Sequence, residues 1–267
     1  RHLPAFPHGG PSGLVRVVGS NVRNEAPIIA HRLRKASLAG AQVSFISSVK
    51  HDYYFHVANY LYDAGLVELL SGVAVAAAGR NKLPGSVSDL CDGVKANAEQ
   101  KRLAASLNDA DAGLVLLGNI AVRDQAYSAV RALTACIAKL TDARLGYLSA
   151  GSNAAGAHLA GVLPHRLAGG VKRGKTGLHA GAMLDNALDA IVLVNLEPDV
   201  DLFASNDAVA KLAQQKFVVA LTPFVSDALM ESTDLLLPIG TFAETSGTSV
   251  NVAGTWQSLS GVANAVV

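Results

Sequence analysis

The chain has 267 residues, half of them hydrophobic and 16% charged, with 25 glycines and a formal net charge of +1. That balance excludes a disordered polar segment and offers no global field to draw nucleic acid or an anionic membrane surface. The length supports one large domain or two modest ones. Its apolar runs are too short to cross a bilayer; the stretch that begins at Val73 is closed by Arg80.

Residues 1–11 are a Pro/Gly-rich lead (Pro4, Pro7, Gly9, Gly10, Pro11) expected to be flexible. With no initiator Met, the chain reads as a fragment of something longer. Strands are expected at Leu14–Val18, Gln42–Ile46, Leu114–Leu117, Leu145–Leu148, Ile191–Val194, Phe217–Ala220 and Asp234–Leu237. Nearly all their residues are apolar rather than alternating, as in parallel strands covered on both faces. Between them, Pro27–Leu38 and Asp124–Leu140 repeat apolar residues at helical spacing with Arg and Lys outside. The alternation predicts an α/β fold, doubly wound, with mainly parallel sheets in two Rossmann-like lobes. The stretch from Arg80 to Ala112 is the most polar connection and places the lobe boundary near residue 105, with a first lobe over 12–105 and a second over 106–260. Val22-Arg23-Asn24-Glu25-Ala26 and Val122-Arg123-Asp124-Gln125-Ala126 form a weak internal repeat. Each follows a strand ending in Gly, and each is expected to open a helix.

Parallel sheets take ligands at the carboxyl ends of their strands. Four loops have that position: Gly19–Glu25, Gly118–Asp124, Gly151–Gly156 and Asn195–Asp201. Gly lets a backbone approach phosphate, and Asn or Asp reads ribose and base. Gly19, Asn21, Gly118, Asn153, Glu197 and Asp199 are therefore the candidate positions for cofactor contact. Ordinary βα turns use the same residues, and the carboxylates Glu197, Asp199 and Asp201 would repel a pyrophosphate. No bound dinucleotide is expected here. No Gly-x-Gly-x-x-Gly is expected after a strand and no Gly-Lys-Ser/Thr phosphate loop is expected, so NAD and ATP binding by standard motifs is not supported.

Metal and nucleophile chemistry fare no better. Cys91 and Cys136 are too few and too far apart for a cluster or a zinc ribbon, and Cys136 reads as a small buried hydrophobe. His51 and His56 enclose Tyr53, Tyr54 and Phe55, which is not the spacing of a zinc-binding helix. A packed aromatic segment with polar tips is expected instead. No Ser lies in a Gly-x-Ser-x-Gly elbow, so no catalytic residue and no metal ligand is assigned. Lys172-Arg173-Gly174-Lys175 is a compact basic run, either a solvated loop or a face toward an acidic partner.

The last third of the chain carries the most specific pattern. Asp234-Leu235-Leu236-Leu237-Pro238-Ile239 is an apolar strand ended by proline; Glu244-Thr245-Ser246-Gly247-Thr248 follows, then Asn251-Val252-Ala253-Gly254-Thr255-Trp256-Gln257. This run resembles the "ADxxLP … E … GT … N … EGR … Q" signature of the molybdopterin oxidoreductase family. Gly19-Ser20-Asn21-Val22-Arg23-Asn24-Glu25-Ala26-Pro27 resembles that family's "GxNxRxEAP" loop. Ser152-Asn153-Ala154-Ala155-Gly156-Ala157 with Gly161-Val162-Leu163-Pro164 resembles its "N-x-x-G … G-x-x-P" segment. The resemblance covers residues 12–260 and implies one α/β lobe inserted into another.

Asn195-Leu196-Glu197-Pro198-Asp199 stands where catalytic members have "GxNP", and it is most similar to the large iron–sulfur subunits of respiratory NADH:quinone oxidoreductases, complex I. That likeness implies a non-catalytic scaffold in the peripheral arm, on the cytoplasmic side of a bacterial inner membrane. Other subunits of the arm would be its partners, with no nucleic acid and no direct membrane insertion. It implies no cofactor in this segment, the iron–sulfur clusters belonging to an N-terminal part of the parent chain. Ala253-Gly254-Thr255 lacks the acid and the arginine of "EGR", which fits a domain that has the fold without the cofactor. A fragment of a catalytic, formate-dehydrogenase-like molybdopterin oxidoreductase and a stand-alone interaction module are the alternatives. On the scaffold reading Leu235, Leu236 and Leu237 should be buried on a central strand that Pro238 ends. Glu244 should anchor a turn, and Gly247 and Gly254 should supply turn conformations.

Overall fold

The computed structural model describes residues 13–110, 112–202 and 205–264, so the expected flexible lead at 1–11 lies outside the described residues. In chain order the elements are β1 (Gly13–Val18), α1 (Val22–Glu25), α2 (Pro27–Leu38), β2 (Gln42–Ser47), β3 (Asn59–Tyr62), α3 (Leu66–Ala78), α4 (Gly85–Ser88), α5 (Ala98–Asn108), β4 (Ala112–Leu117), α6 (Asn119–Val122), α7 (Tyr127–Leu140) and β5 (Arg144–Tyr147). There follow α8 (Ala154–Ala160), α9 (Ala180–Leu184), β6 (Ile191–Val194), α10 (Pro198–Asp201), α11 (Ser205–Leu212), β7 (Val218–Thr222), α12 (Asp227–Ser232), β8 (Leu235–Pro238), β9 (Gly247–Val250) and β10 (Trp256–Leu259). Two compact units result. One holds the residues up to Ser152 together with Val252–Gly254; the other holds Asn153–Asn251 and the residues from Thr255 on.

The first unit is a five-stranded parallel sheet in the order β3-β2-β1-β4-β5. Successive residues of β1 serve opposite faces. Leu14 and Val18 join a core with Leu70 and Val73 of α3, Leu103 and Leu107 of α5, and Leu133 and Ile137 of α7. Val15 and Val17 join a second core with Leu33 of α2, Phe45 and Leu116. Both faces are covered, which is why the strands read as unbroken apolar runs. The aromatic segment behaves as expected: Tyr53 stacks on Phe45 with ring centroids 4.1 Å apart, and Phe55 and Tyr60 close the cluster.

The boundary expected near residue 105 does not divide this unit. The polar-looking stretch contains α5, opened by a reciprocal capping box in which Asn97 Oδ1 accepts from the Gln100 amide at 2.8 Å and Gln100 Oε1 accepts from the Asn97 amide at 2.9 Å. Gln100 Nε2 then donates to Leu69 O on α3, over the close approach left by Gly72. A helix pinned in this way joins the segment to the sheet. The compact units divide at Ser152 and Asn153 instead.

Arg16 is the one charged residue among the largest fully buried side chains. Its guanidinium donates to Ser44 Oγ (3.0 Å), Ser106 Oγ (2.5 Å) and Val15 O (3.4 Å), while Nε has no partner. Among the described residues no carboxylate pairs with it. Burial pushes the guanidinium down to about 10, the direction expected for a cation kept from water.

The second unit holds a three-stranded parallel sheet, β6-β7-β8, and an antiparallel pair, β9 with β10. Ile191, Leu193, Val218 and Ala220 face Leu212 of α11 and Leu229 of α12, and Leu236 packs against the same core. The opposite face is open: Val192 and Val194 are 60% and 63% exposed, Leu235 and Leu237 44% and 41%. The expectation that Leu235, Leu236 and Leu237 are all buried on a central strand is therefore corrected. β8 is an edge strand of this sheet, where a proline is tolerated, and Leu236 alone points into the core. Gly247 does not supply a left-handed turn either; it starts β9, whereas Gly254 has φ +80° as expected.

Two predictions follow from these burial patterns. Leu236→Ala should destabilise by about 1–2 kcal/mol and Leu235→Ala by less than about 0.5 kcal/mol, measured by urea unfolding; equal costs would contradict the facing assigned here. Arg16→Met removes an uncompensated buried charge, while Ser44 still accepts from the Asn59 amide and Ser106 still donates to Leu103 O. The melting temperature should hold or rise, and a fall of several degrees would show that the guanidinium stabilises the core.

Candidate functional site

The strand order reverses between β1 and β4, because β2 and β3 extend to one side of β1 and β4 and β5 to the other. This reversal is the position at which doubly wound sheets open a ligand crevice. Two of the loops expected to matter meet there. Gly19 has φ +57°, a conformation L side chains rarely adopt, and a Cβ on it would lie 2.6 Å from the Ala121 backbone nitrogen. A Cβ on Gly118 would fall 2.2 Å from the Cβ of Ser20. Ala121 N donates to Gly19 O at 3.0 Å. Both glycines let one loop close on the other.

The centre of this junction is Glu25. Its Oε2 accepts from Ser20 Oγ at 2.6 Å and from the Asn119 amide at 3.1 Å, and its Oε1 accepts from the Asn21 amide at 2.9 Å. Asn21 is the N-cap of α1, and Asn119 is the first residue of α6. Free amides at helix starts above a parallel sheet are the groups that receive phosphate in nucleotide-binding folds. Here a carboxylate from the same chain receives them.

Around it, Ser20 is fully buried and Tyr53 Oη donates to Ser20 O at 3.2 Å. Burial, then the neighbouring Tyr60 and Glu25, push the Tyr53 hydroxyl well above the usual phenol range. Arg23 lies 4.4 Å over the Tyr54 ring and donates to Asp52 O. Asn21 Oδ1 is buried without a hydrogen-bond partner.

Gly19, Asn21 and Gly118 are thus brought together in the first unit. Asn153, Glu197 and Asp199 belong to the second. Asn153 precedes α8, and its Oδ1 accepts from the Val250 amide at 2.8 Å, tying α8 to β9. Asn195 ends β6 with φ +50°, and Asp201 Oδ2 accepts from the Glu197 amide at 2.8 Å to close the first turn of α10. Asp199 is exposed and Glu197 partly so. Glu244 Oε2 accepts from the Thr241 amide at 2.7 Å, the turn anchor expected of it.

Sequence reasoning missed Glu25, Ser20 and Asn119 as site residues. The signal available was the short repeat, and the structure corrects how it was read. Val22–Glu25 opens the first helix after β1, but Val122 closes α6 and residues 123–126 link it to α7. Only the first copy sends an acid back into the junction.

The expected absence of a Gly-Lys-Ser/Thr loop is corrected: Gly169-Gly170-Val171-Lys172-Arg173-Gly174-Lys175-Thr176 spells Gly-x-x-x-x-Gly-Lys-Thr. No strand runs into it, and residues 176–179 are not helical, so it lacks the strand–loop–helix setting of a phosphate loop. Among the described residues, no group of three His, Cys, Asp or Glu side chains is placed to hold a metal ion. Cys91 and Cys136 are free and buried, and burial pushes both thiols up.

A doubly wound α/β protein whose strand order reverses between β1 and β4 is the class these features define. The chain belongs to the molybdopterin oxidoreductase family, whose model matches residues 11–267. No curated protein matches it in sequence. Among solved structures it is similar to a chain of the formyltransferase/hydrolase complex (FhcABCD) from Methylorubrum extorquens in complex with methylofuran. The TM-score is 0.61 at 15% identity, over 94% of this chain and 69% of that one, a likeness of fold.

Removing the Glu25 carboxylate should loosen the junction. Glu25→Ala leaves three donors without their acceptor and should cost about 2–4 kcal/mol. Glu25→Gln keeps one acceptor oxygen and should cost about 1–2 kcal/mol. Chemical denaturation checks the order; equal and negligible losses would show that the contacts do not hold the loops.

Proposed function

We propose that this chain is a cofactor-free scaffold domain of the large iron–sulfur subunit of an NADH:quinone oxidoreductase. The observation that carries the reading is the acidic Glu197-Pro198-Asp199 loop after β6, which stands where catalytic members of the family have "GxNP". A pterin dinucleotide phosphate arriving there would meet a negative charge. At the β1/β4 reversal the Ser20, Asn21 and Asn119 donors are taken by Glu25, the acid of the family's "GxNxRxEAP" loop. These residues do not fit an anionic cofactor, so no catalytic step is assigned to the domain.

The complex I assignment rests on the Glu-Pro-Asp variant and the 153–161 run, which resemble that subunit. On this reading the parent assembly, an oxidoreductase and translocase, passes electrons from NADH to quinone, while the isolated segment is inactive. The iron–sulfur clusters lie in an N-terminal part of a longer chain. The domain sits in the peripheral arm, on the cytoplasmic side of the bacterial inner membrane, and its partners are the other subunits of that arm.

Two measurements test this. Purified protein should contain no stoichiometric molybdenum and release no guanine nucleotide on acid treatment; either one would establish the catalytic alternative. In the reconstituted assembly, Glu244→Gln should leave NADH-to-quinone turnover nearly unchanged, because that carboxylate caps a turn. A large loss of turnover with normal assembly and melting temperature would make Glu244 functional and the scaffold reading wrong.

A further inference from the structure

From Ala143 to Leu184 the chain has five Lys or Arg residues (Arg144, Arg166, Lys172, Arg173, Lys175) and no Asp or Glu. Four of the five lie within ten residues, on a loop that a merely solvated basic run would not need to build so closely. Leu163 and Arg166, then Arg166 and Lys172, form antiparallel bridges. Leu167 N donates to Val171 O at 2.8 Å, Gly177 N to Pro164 O at 2.7 Å, and Arg166 Nη1 to Gly170 O at 3.3 Å. Gly169 and Gly170 turn the tip with φ +71° and +78°. Gly161, with φ +86°, lets the end of α8 sit against the loop, since a Cβ there would fall 2.5 Å from Ala168 N.

Fixed in this frame, the loop displays aliphatic side chains between its cations. Val162 is 71% exposed, Val171 60% and Leu167 44%. Lys172, Arg173 and Lys175 are exposed, and among the described residues no carboxylate pairs with them. A preformed surface that mixes exposed aliphatics with unneutralised cations suits protein recognition, where order already present lowers the entropy lost on binding.

The geometry points to residues 162–175 as a docking site for an acidic, leucine-bearing segment of a partner protein. A nucleotide phosphate is disfavoured although the run spells Gly-x-x-x-x-Gly-Lys-Thr. The amides of Gly170, Arg173 and Gly177 are already spent on Leu167 O, His165 O and Pro164 O, and the next helix, α9, begins only at Ala180, where the Ala182 amide is taken by His179 Nδ1. The inference does not depend on the scaffold reading, since an unrelated interaction module would present the same surface. Loss of the complex I assignment would leave it standing.

The test uses the full chain and a fluorescent peptide, Ac-(Glu-Glu-Leu)₃-amide, followed by anisotropy at physiological salt. Amide chemical-shift mapping shows where the peptide sits. Binding should perturb residues 162–177, weaken about tenfold or more in Lys172→Glu/Arg173→Glu, and weaken less than about threefold in Arg34→Glu/Lys35→Glu on α2, which makes the same charge change elsewhere. Val171→Ser, or a peptide with Gln replacing Leu, should also bind more weakly. All five substituted residues are exposed, and melting curves confirm that each variant is folded. Equal weakening by the two charge reversals would overturn the proposal. So would no peptide binding up to the millimolar range. ATP, or vesicles of equal phosphatidylserine and phosphatidylcholine, binding at this loop in preference to the peptide would overturn it as well.

Discussion

The first unit depends on how its two central loops close on one another. β1 and β4 lie side by side with their carboxyl ends level, and each releases its chain into a helix after no more than three residues. Two glycines make the approach sterically possible, but sterics alone would leave helix-start amides facing each other without acceptors. The Glu25 carboxylate supplies the acceptor, and a single side chain thereby satisfies donors from three residues on two loops. The arrangement uses the same electrostatics by which such folds hold phosphate, with the anion built into the chain. A site organised this way is rigid because its charge cannot leave.

How much of this could be read in advance follows from which physical signal each feature leaves. β1, β2 and β4 stand out because parallel strands buried on both faces have few polar residues to blur them, here Arg16, Gln42, Ser44 and Ser47, and β6 stands out because it is apolar on its open face as well. β3 escaped notice: Asn59-Tyr60-Leu61-Tyr62 is an edge strand with one buried residue. In sequence α5 reads as a polar connection because only Gln100, Leu103, Ala104 and Leu107 of its eleven residues face inward. Read as a linker, it puts the boundary at residue 105, whereas the compact units divide after Ser152. Leu235-Leu236-Leu237 misled in the opposite direction, since an apolar run does not say whether a second layer covers both faces. In the site, Gly19, Asn21 and Gly118 were legible as turn residues at strand ends. Glu25 was not, because nothing in a sequence tells a helix-terminal acid that reaches solvent from one that folds back onto another loop's amides.

The second unit shows what crossover handedness leaves undone. β6, β7 and β8 run in simple sequence, so α11 and α12 fall on one side of the sheet, as right-handed crossovers on the same edge must. Parallel sheets are normally layered on both faces, and the row of Val192, Val194, Leu235 and Leu237 is the uncovered one. The first unit has no such face, because adding β4 on the opposite side of β1 put its helices on the opposite face as well. The contrast comes from strand order alone; the strands themselves are alike in composition.

That same strand order sets a timetable for the growing chain. β1 is the middle strand of its sheet, yet its second partner, β4, is encoded about a hundred residues later. Until that segment leaves the ribosome, β1, β2 and β3 form a half-sheet whose central edge is bare. At about 5–20 residues per second the interval is on the order of ten seconds. An apolar edge exposed for so long is a template for pairing with other chains. Gly13 and the buried Arg16 are the only residues of β1 that weaken such a template, the first by lacking a side chain and the second by carrying a charge. Arg16 is thus the one charge that this long-unpaired strand carries.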